Sequence, residues 1–317
     1  MKRKTRALLV ADIPDWAFAR NALDLQHAVK KSIQCDVVYV RELMAGKPWP
    51  NVEDYDVILE YFPFPRCNGR LPRNRTIGAL LATYLFFEEP YGPPGEVEFR
   101  HANGYAHFWV CNLNLFAQYG AHVPNITYLP NPVLMSRHRR AVEDFSELRP
   151  CWAGNSKRDR AWDLDPKGFY GMILPATSRL GLEGKWADFT KIRIPPDEMP
   201  AWYLDSNVYL CMSRHEGCSN SVNEAMASGQ ILVSTRCGHV EDLHKSQLKH
   251  FGMSGVVLVE PEAEALANAL AGLRDLSKAD RALMGAVNRA EIQERWSWNV
   301  WAEKYTTMLQ EVANKWT

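Results

Sequence analysis

Short apolar runs alternate with stretches of helical periodicity along the first half of the chain. The apolar runs have the length and composition of buried strands, and they lie at 6–10, 36–40, 55–61, 80–87 and 108–111. Residues 21–32, between the first two runs, repeat their apolar positions at helical spacing. Strand, helix and strand in this order predict a doubly wound parallel sheet.

The second half repeats this alternation after a break at 128–133. That segment reads Tyr-Leu-Pro-Asn-Pro-Val, and its prolines interrupt regular structure. The elements predicted beyond it are strands at 150–154, 187–192 and 208–212 and helices starting at Phe169 and at 200–203, 262–273, 279–294 and 296–317. The length suits two domains. The first predicted domain comprises residues 1–135 together with the closing helix 297–317, and the second comprises residues 150–296.

Composition and charge exclude several classes of protein. Hydrophobic residues make up 46% and charged residues 23% of the 317 residues, as in ordinary soluble domains. The formal net charge is zero, so charge gives no argument for nucleic acid or an anionic membrane as a partner. No apolar stretch is long enough for a membrane span, and the run 7–11 is too short for a signal peptide.

The seven cysteines indicate reduced thiols rather than a disulfide scaffold. Their number is odd, and they form neither a Cys-x-x-Cys pair nor a zinc-like pattern with histidine. Cys35, Cys111 and Cys211 lie in apolar runs, where cysteine behaves as a small hydrophobe. We therefore expect a cytoplasmic protein without a metal site.

The stretch 213–238, SRHEGCSNSVNEAMASGQILVSTRCG, carries the most specific chemistry of the chain. Glu216 and Glu224 are separated by seven residues, and the small polar turn 217–220 between them can open a helix. The helix is predicted to stop at Gly229, which suits a left-handed cap, and an apolar strand follows. Backbone N–H groups at such a helix start attract phosphate, and the carboxylates can accept hydrogen bonds from sugar hydroxyls.

Helical spacing leaves two interpretations of this segment open. Val222, Ala225 and Met226 share one face, which we expect to pack on the core. Glu224 then points to the opposite side, in the company of Asn220, Ser221 and Ser228. That side is either ordinary solvent surface or the wall of a cleft, and spacing alone favours solvent surface.

The same residues resemble a known motif, which reads here Glu216-Gly217-Cys218-Ser219-Asn220, then Glu224-Ala225-Met226-Ala227, then Gly229. The pattern is similar to the donor-sugar motif of retaining, family-4-like glycosyltransferases of the GT-B fold, the glycosyl transferases group 1. The resemblance implies that Glu224 binds the ribose of a sugar nucleotide and that Glu216 lies beside the transferred hexose. It also implies that the amides of Gly217, Cys218, Ser219 and Asn220 meet the distal phosphate and the sugar.

A second segment, 152–156, ends a predicted strand in Gly-Asn-Ser and so places Asn155 and Ser156 at the carboxyl edge of the sheet, where ligands bind. Lys167 is placed to meet a diphosphate as a point charge, although a lone lysine is usually solvated. Members of the family carry a Lys-Gly pair on the donor diphosphate. They also commonly have an arginine where Asn155 stands. The insertion 157–165 leaves open whether Lys157, Arg158 or Arg160 supplies a second positive charge.

Other candidates concern the nucleotide base and the acceptor. The segment 192–205 resembles the part of such enzymes that lines the base, with Ile194 as a backbone contact. In the first loop, Trp16 either stacks on a sugar or covers the core, with the two interpretations evenly balanced. Glu88 and His107 are candidates to orient an acceptor hydroxyl. The segment 128–133 resembles the interdomain linker of the family and is a candidate hinge.

The resemblance implies an α/β protein of two Rossmann-like domains facing a cleft, with the C-terminal helix crossing back to the first domain. The implied reaction moves a hexose from a nucleotide diphosphate sugar, with a UDP- or GDP-linked donor favoured, to a hydroxyl of a glycan or another acceptor with retention of configuration. Lys167 and Glu216 are the catalytic candidates. The resemblance implies that the leaving phosphate helps to deprotonate the acceptor, so we name no protein general base. Members of this fold generally need no metal for catalysis, and we expect no metal or other cofactor here. The oligomeric state stays open.

Three alternatives remain at this stage. The chain could be a non-catalytic sugar-nucleotide binder, although Lys167, Glu216 and Glu224 argue against this. It could be an epimerase that acts on the nucleotide sugar itself. It could transfer the sugar to hydroxymethylated DNA bases, for which the zero net charge gives no support, although four arginines lie close together at positions 66, 70, 73 and 75.

Overall fold

Two parallel sheets organise the chain. The computed structural model describes residues 3–61, 70–80, 105, 107–120, 125–156 and 165–315. The chain divides into two units, Met1–Asn131 with Trp298–Thr317 and Pro132–Ser297. The sheet of the first unit has the strand order β2-β1-β3-β4-β5-β6, and that of the second has the order β11-β10-β9-β7-β8. Every pairing between neighbouring strands is parallel.

The strands of the first sheet are β1 (Thr5–Ala11), β2 (Ile33–Tyr39), β3 (Val57–Glu60), β4 (Thr76–Leu80), β5 (His107–Val110) and β6 (Ile126–Tyr128). Those of the second are β7 (Pro150–Gly154), β8 (Lys185–Asp188), β9 (Val208–Cys211), β10 (Ile231–Ser234) and β11 (Val256–Leu258). The described α-helices are, in chain order, α1 (Ala17–Val29), α2 (Val40–Met44), α3 (Leu113–Gly120), α4 (Leu174–Arg179), α5 (Met199–Tyr203), α6 (Asn220–Ala227), α7 (Val240–Phe251), α8 (Ala263–Asp275), α9 (Lys278–Arg295) and α10 (Trp298–Asn314). A π-helical turn, Phe169–Ile173, directly precedes α4, so the helix predicted to start at Phe169 is present.

Burial explains why the central strands are continuous apolar runs. In β1, residues 7–11 are fully buried, as are all residues of β10, because helices cover both faces of a parallel sheet. In the second unit, Trp152 and Phe169 stack with ring centroids 4.4 Å apart in the core. The predicted α/β class and parallel sheets are thus confirmed.

The C-terminal helix α10 belongs to the first unit, as predicted. Its apolar side packs on that unit through Tyr305, Met308 and Leu309, all of which are buried. The Tyr305 hydroxyl donates to the carbonyl oxygen of Pro130 at 2.8 Å. Among the helices of the described residues, none has both the length and the apolar character that crossing a bilayer requires.

Several predicted boundaries shift. The strand expected at 187–192 is β8 and ends at Asp188, because the Asp188 carboxylate accepts hydrogen bonds from the backbone N–H and the hydroxyl of Thr190 and so closes a turn. Phe189 and Ile192 therefore leave the sheet and are exposed. The first helix begins at Ala17, four residues before the predicted start. The predicted strand 80–87 lies outside the described residues apart from Leu80, which ends β4.

The strand order locates the binding edges. In each sheet the order reverses beside the first strand of the unit, between β1 and β3 in one and between β7 and β9 in the other. In open α/β sheets, ligands bind at such reversal points, outside the carboxyl ends of the strands. In the second unit, the loops that leave β7 and β9 carry Asn155 and Glu216 to this edge.

Candidate functional site

Lys167 and Glu216 form a hydrogen-bonded ion pair at the carboxyl edge of the second sheet. Ser213 donates from its hydroxyl to the same oxygen, Glu216 Oε1, at 2.8 Å. Burial alone would lower the pKa of Lys167, but the adjacent Glu216 carboxylate outweighs it and the pKa is raised. Lys167 is therefore a charged ammonium at neutral pH, held in place by a half-buried carboxylate.

Two glycines, Gly168 next to Lys167 and Gly238 close to Glu216, allow the backbone segments around the ion pair to approach each other closely. Gly168 has φ +66°, and a methyl group added there would lie 2.5 Å from the carbonyl oxygen of Met212. Gly238 has φ +57°, and a methyl group there would lie 2.5 Å from the carbonyl oxygen of Gly217. Only glycine fits a left-handed backbone pressed against a carbonyl, so both positions are determined by backbone geometry. The backbone N–H of Arg214 also donates to the Pro166 carbonyl at 3.0 Å, which ties the two loops together.

Helix α6 begins directly after the loop 217–219, as the motif predicts. Ser219 is its N-cap residue and has extended backbone angles, but its side chain makes no capping hydrogen bond to the helix. Instead, the Ser219 hydroxyl lies 3.1 Å from the Ser221 hydroxyl. The helix ends at Ala227, and Gly229 has φ +79°, so the predicted left-handed glycine is present. The start of α6, which carries the positive end of the helix dipole, therefore follows Glu216 by four residues in the loop that leaves β9.

Glu224 is half-buried rather than solvated. The hydroxyl of Tyr203, a fully buried residue, lies 3.4 Å from Glu224 Oε2 and donates to it. Burial and the Glu224 charge raise the pKa of Tyr203 well above its usual value, so the phenol stays neutral. Ser228, on the same side of α6, is 1% exposed and its hydroxyl lies 3.0 Å from His138 Nδ1. The preference for plain solvent surface on this side of the helix was therefore wrong, because the segment before β7 and helix α5 pack there.

Asn155 and Ser156 follow β7 at the same edge, but Ser156 is committed to internal contacts. It is 4% exposed, its hydroxyl donates to Asp188 Oδ2, and it lies 3.2 Å from the Tyr170 hydroxyl. The Lys191 ammonium donates to that Tyr170 hydroxyl at 3.2 Å. Burial would raise the pKa of Asp188, but the hydrogen bonds that it accepts from Ser156 and Thr190 outweigh this and lower it. The Ser156 backbone N–H also donates to Asp188, at Oδ1 and 3.3 Å. Ser156 thus orders the end of the sheet through both its hydroxyl and its backbone N–H.

The remaining donor-side predictions are only partly placed. Asn155 is half-buried, and Ile194 is half-buried in the irregular segment between β8 and α5. Lys157, Arg158 and Arg160, the candidates for a second positive charge, lie outside the described residues. Among the described residues, no group of three His, Cys, Asp or Glu side chains could hold a metal ion.

The candidates on the acceptor side separate in the structure. Trp16 lies in the loop after β1, at the carboxyl edge of the first sheet, and is 44% exposed. His107 is the first residue of β5 and so lies at the opposite, amino edge, where its Nε2 is 2.8 Å from the Thr127 hydroxyl. Burial lowers the pKa of His107 to about 4. This placement argues against an acceptor role for His107. Glu88 lies outside the described residues.

Sequence reasoning missed three polar residues that support the motif. Ser213 and Tyr203 contact the two motif carboxylates, and Asn223 is buried beneath the loop 217–219. Ser213 precedes Glu216 by three residues at a strand end, which is a usable signal. The sequence carries no such signal for Tyr203 or Asn223, because a tyrosine or an asparagine at a helical position most often serves ordinary packing.

Comparisons with known proteins fit this arrangement. Residues 168–275 match the family model described as glycosyl transferases group 1. The structure is similar over its whole length to a sucrose-phosphate synthase from Thermosynechococcus elongatus, with a TM-score of 0.69, 13% identity, and coverage of 98% of this chain and 100% of that one. The fold is that of the GT-B glycosyltransferases. The resemblance inferred from the motif is thereby confirmed.

Other GT-B structures agree. A glycosyltransferase from Rickettsia africae ESF-5 has a TM-score of 0.67 at 11% identity, with 98% of each chain covered. HepE from Anabaena, in complex with UDP and glucose, has a TM-score of 0.67 at 11% identity, with 99% of each chain covered. No curated protein has a matching sequence. The group 1 match lies entirely in the second unit and contains Glu216 and Glu224, while Lys167 immediately precedes it.

Proposed function

We propose that this GT-B protein is a retaining glycosyltransferase that moves a hexose from a nucleotide diphosphate sugar to an acceptor hydroxyl. The observation that carries the proposal is the Lys167–Glu216 pair, fixed between two left-handed glycines next to the start of α6. A cation, a carboxylate and a helix N-terminus brought together at the reversal point of a parallel sheet suit a sugar diphosphate.

Lys167 would neutralise the diphosphate as it leaves. Its ammonium already pairs with Glu216, so phosphate oxygens would share or replace that partner when the donor binds. Stabilisation of the charge that develops on the leaving group lowers the barrier, and once the donor is bound the ammonium is already in place to supply it. Glu216, released in part from Lys167, could then accept hydrogen bonds from hydroxyls of the hexose. In this scheme the leaving phosphate takes the acceptor proton.

Glu224 would bind the ribose. Its Oε2 accepts a hydrogen bond from the neutral, buried Tyr203, which helps to fix the carboxylate in a position to receive a diol. Asn155 and Ile194 would contribute donor contacts largely through their backbone, as would residues 217–220. With Glu224 on the ribose, the two glutamates would not act as the paired carboxylates of a glycoside hydrolase.

The complexes in which structural neighbours have been captured support a nucleotide-sugar donor. HepE has been captured with UDP-glucose, and starch synthase IV from Arabidopsis thaliana with ADP and acarbose. These neighbours were captured with different nucleotides. We propose UDP- and GDP-linked hexoses as the first donors to test, and ADP- and TDP-linked sugars serve as comparisons. We propose a glycan acceptor, with Trp16 as a stacking surface, and no metal requirement. The six described cysteines are free thiols, which supports a cytoplasmic location.

A donor panel tests the proposal directly. The purified protein is incubated with UDP-, GDP-, ADP- and TDP-sugars, and thermal stability and release of free nucleotide are measured together. Stabilisation by one donor with slow nucleotide release would support the transferase and identify the donor. Stabilisation without release, in the presence of glycan acceptors, would favour a sugar-nucleotide binder. No response to any donor would contradict the proposal. The anomeric configuration of the product, measured by NMR, tests retention.

A further inference from the structure

His239 is buried beneath the donor loop in a way that ordinary core packing does not require. It follows Gly238 directly, it is fully buried, and it is the N-cap residue of α7. Its Nε2 lies 2.7 Å from Asn223 Oδ1. On its other side the imidazole packs against the indole of Trp296, with ring centroids 5.3 Å apart. The imidazole is therefore fixed between an aromatic ring and a polar side chain.

Asn223 extends this contact to the donor loop. Its Nδ2 donates to Cys218 Sγ at 3.6 Å, and its backbone N–H donates to the Ser219 carbonyl at 3.2 Å. The residue before His239 lies close to the same loop, because a methyl group added at Gly238 would be 2.5 Å from the Gly217 carbonyl oxygen. Gly217 and Cys218 are thus held from one side by the pair Gly238–His239, directly or through the Asn223 side chain, and Ser219 is fixed by the first backbone hydrogen bond of α6.

The hydrogen-bond pattern assigns the protonation of the imidazole. The Asn223 amide nitrogen donates to sulfur, so its Oδ1 faces His239 and must accept. We therefore assign the proton of the neutral ring to Nε2. Burial lowers the pKa of His239 to about 3, so the ring is neutral at physiological pH. Its Nδ1 is buried and has no hydrogen-bond partner among the residues that the structure describes.

A buried nitrogen without a hydrogen-bond partner, such as His239 Nδ1, is unfavourable. An apolar side chain of similar size would fill the same space without this cost. What the imidazole provides, and an apolar side chain would not, is the hydrogen bond from Nε2–H to Asn223. We propose that His239 is a positioning residue: acting through Asn223, it holds the loop 217–219 in the conformation that receives the distal phosphate of the donor. The phosphate assignment rests on the proposed function, whereas the ordering of the loop does not.

The first test uses the ligand-free protein. His239→Leu removes the Nε2–H group that donates to Asn223. His239→Gln places an amide N–H near the position of Nε2. Hydrogen exchange is measured for backbone amides of residues 217–220 and, as an internal reference, of α9. We expect at least tenfold faster exchange of the loop in His239→Leu, little change in α9, and recovery in His239→Gln. Unchanged loop exchange in His239→Leu, or equal acceleration in α9, would overturn the inference. This result does not depend on the nucleotide.

The second test separates phosphate positioning from general damage to the site. The affinities of the nucleoside diphosphate and monophosphate that bind the wild-type protein are compared by calorimetry. His239→Leu should weaken the diphosphate about tenfold and the monophosphate less than twofold, and His239→Gln should restore both. Equal losses for the two nucleotides would contradict a role at the distal phosphate. Cys218→Ala, which removes only the sulfur acceptor, should show the same selectivity if His239→Leu does not fold. Failure of the wild-type protein to bind any nucleotide would count against the proposed function, while the exchange result would still decide the role of His239.

Discussion

The two sheets reverse their strand order at equivalent places, yet their carboxyl edges are built differently. In the second unit, Gly168 and Gly238 press the backbone against neighbouring carbonyls around the Lys167–Glu216 pair. In the first unit, the loop after β1 has Asp15 in the left-handed region at φ +65° and exposes the ring of Trp16. The former edge is specified by backbone geometry, whereas the latter presents a side chain. A backbone-built site tolerates few residue types, so it leaves a recognisable pattern in the sequence.

The largest expected effect concerns the Lys167–Glu216 ion pair at the edge of the second sheet. Lys167→Ala removes the cation that would stabilise the leaving diphosphate, so we expect turnover to fall by about 10²–10³-fold or more while the fold is retained. The measurement is nucleotide release at saturating donor, with circular dichroism as the check on folding. Lys245→Ala is the matched control, because Lys245 is an exposed lysine of the same unit, paired on the surface with Glu241. Full activity in Lys167→Ala would remove the role assigned to this residue.

The next effect concerns the left-handed glycines that shape the same edge of the second sheet. Gly238→Ala and Gly252→Ala both place a methyl group on a left-handed residue, at φ +57° and +72°, but only the first meets a carbonyl oxygen. Gly252→Ala should cost about 1–2 kcal/mol of unfolding free energy from the backbone angle alone. Gly238→Ala should cost about 1–3 kcal/mol more, because the loop must shift to relieve the overlap. Chemical denaturation measures both. Equal losses would mean that the contact with Gly217 imposes no constraint.

This contrast also explains what the sequence could predict. Parallel sheets were readable because strands buried on both faces are continuous apolar runs, and the donor motif was readable because its glycines and glutamates stand at fixed spacing. The burial of Glu224 and Ser228 was not readable, because it depends on Tyr203 and His138, which helical spacing within α6 does not reveal. The acceptor role considered for His107 is a different case. The apolar run predicted at 108–111 already puts this residue at the amino end of its strand, away from the edge where ligands bind.

A smaller effect concerns His107 itself. Its pKa is about 4 in the folded protein against an ordinary value of 6.5. The unfolded chain therefore binds a proton as pH falls below 6.5, while the folded protein does not until about pH 4, so the stability present above pH 6.5 is lost progressively on acidification. At pH 5 this loss should be about 2 kcal/mol. Denaturation at pH 7 and pH 5 measures it, and His107→Gln should show a correspondingly smaller loss. An equal pH dependence in the variant would show that His107 is not buried in its neutral form.

The smallest effect tests the side-chain edge of the first unit. Trp16→Ala removes an exposed ring from the loop after β1 and disturbs little of the core, so unfolding free energy should change by less than about 1 kcal/mol. If the ring stacks on a sugar acceptor, KM for the acceptor should rise roughly tenfold, corresponding to about 1.4 kcal/mol, with KM for the donor unchanged. Trp16→Phe keeps an aromatic face and should recover most of the loss. A rise in donor KM alone would move Trp16 to the donor. A loss of stability with both constants unchanged would make it a cover of the core, the interpretation that the sequence could not separate from stacking.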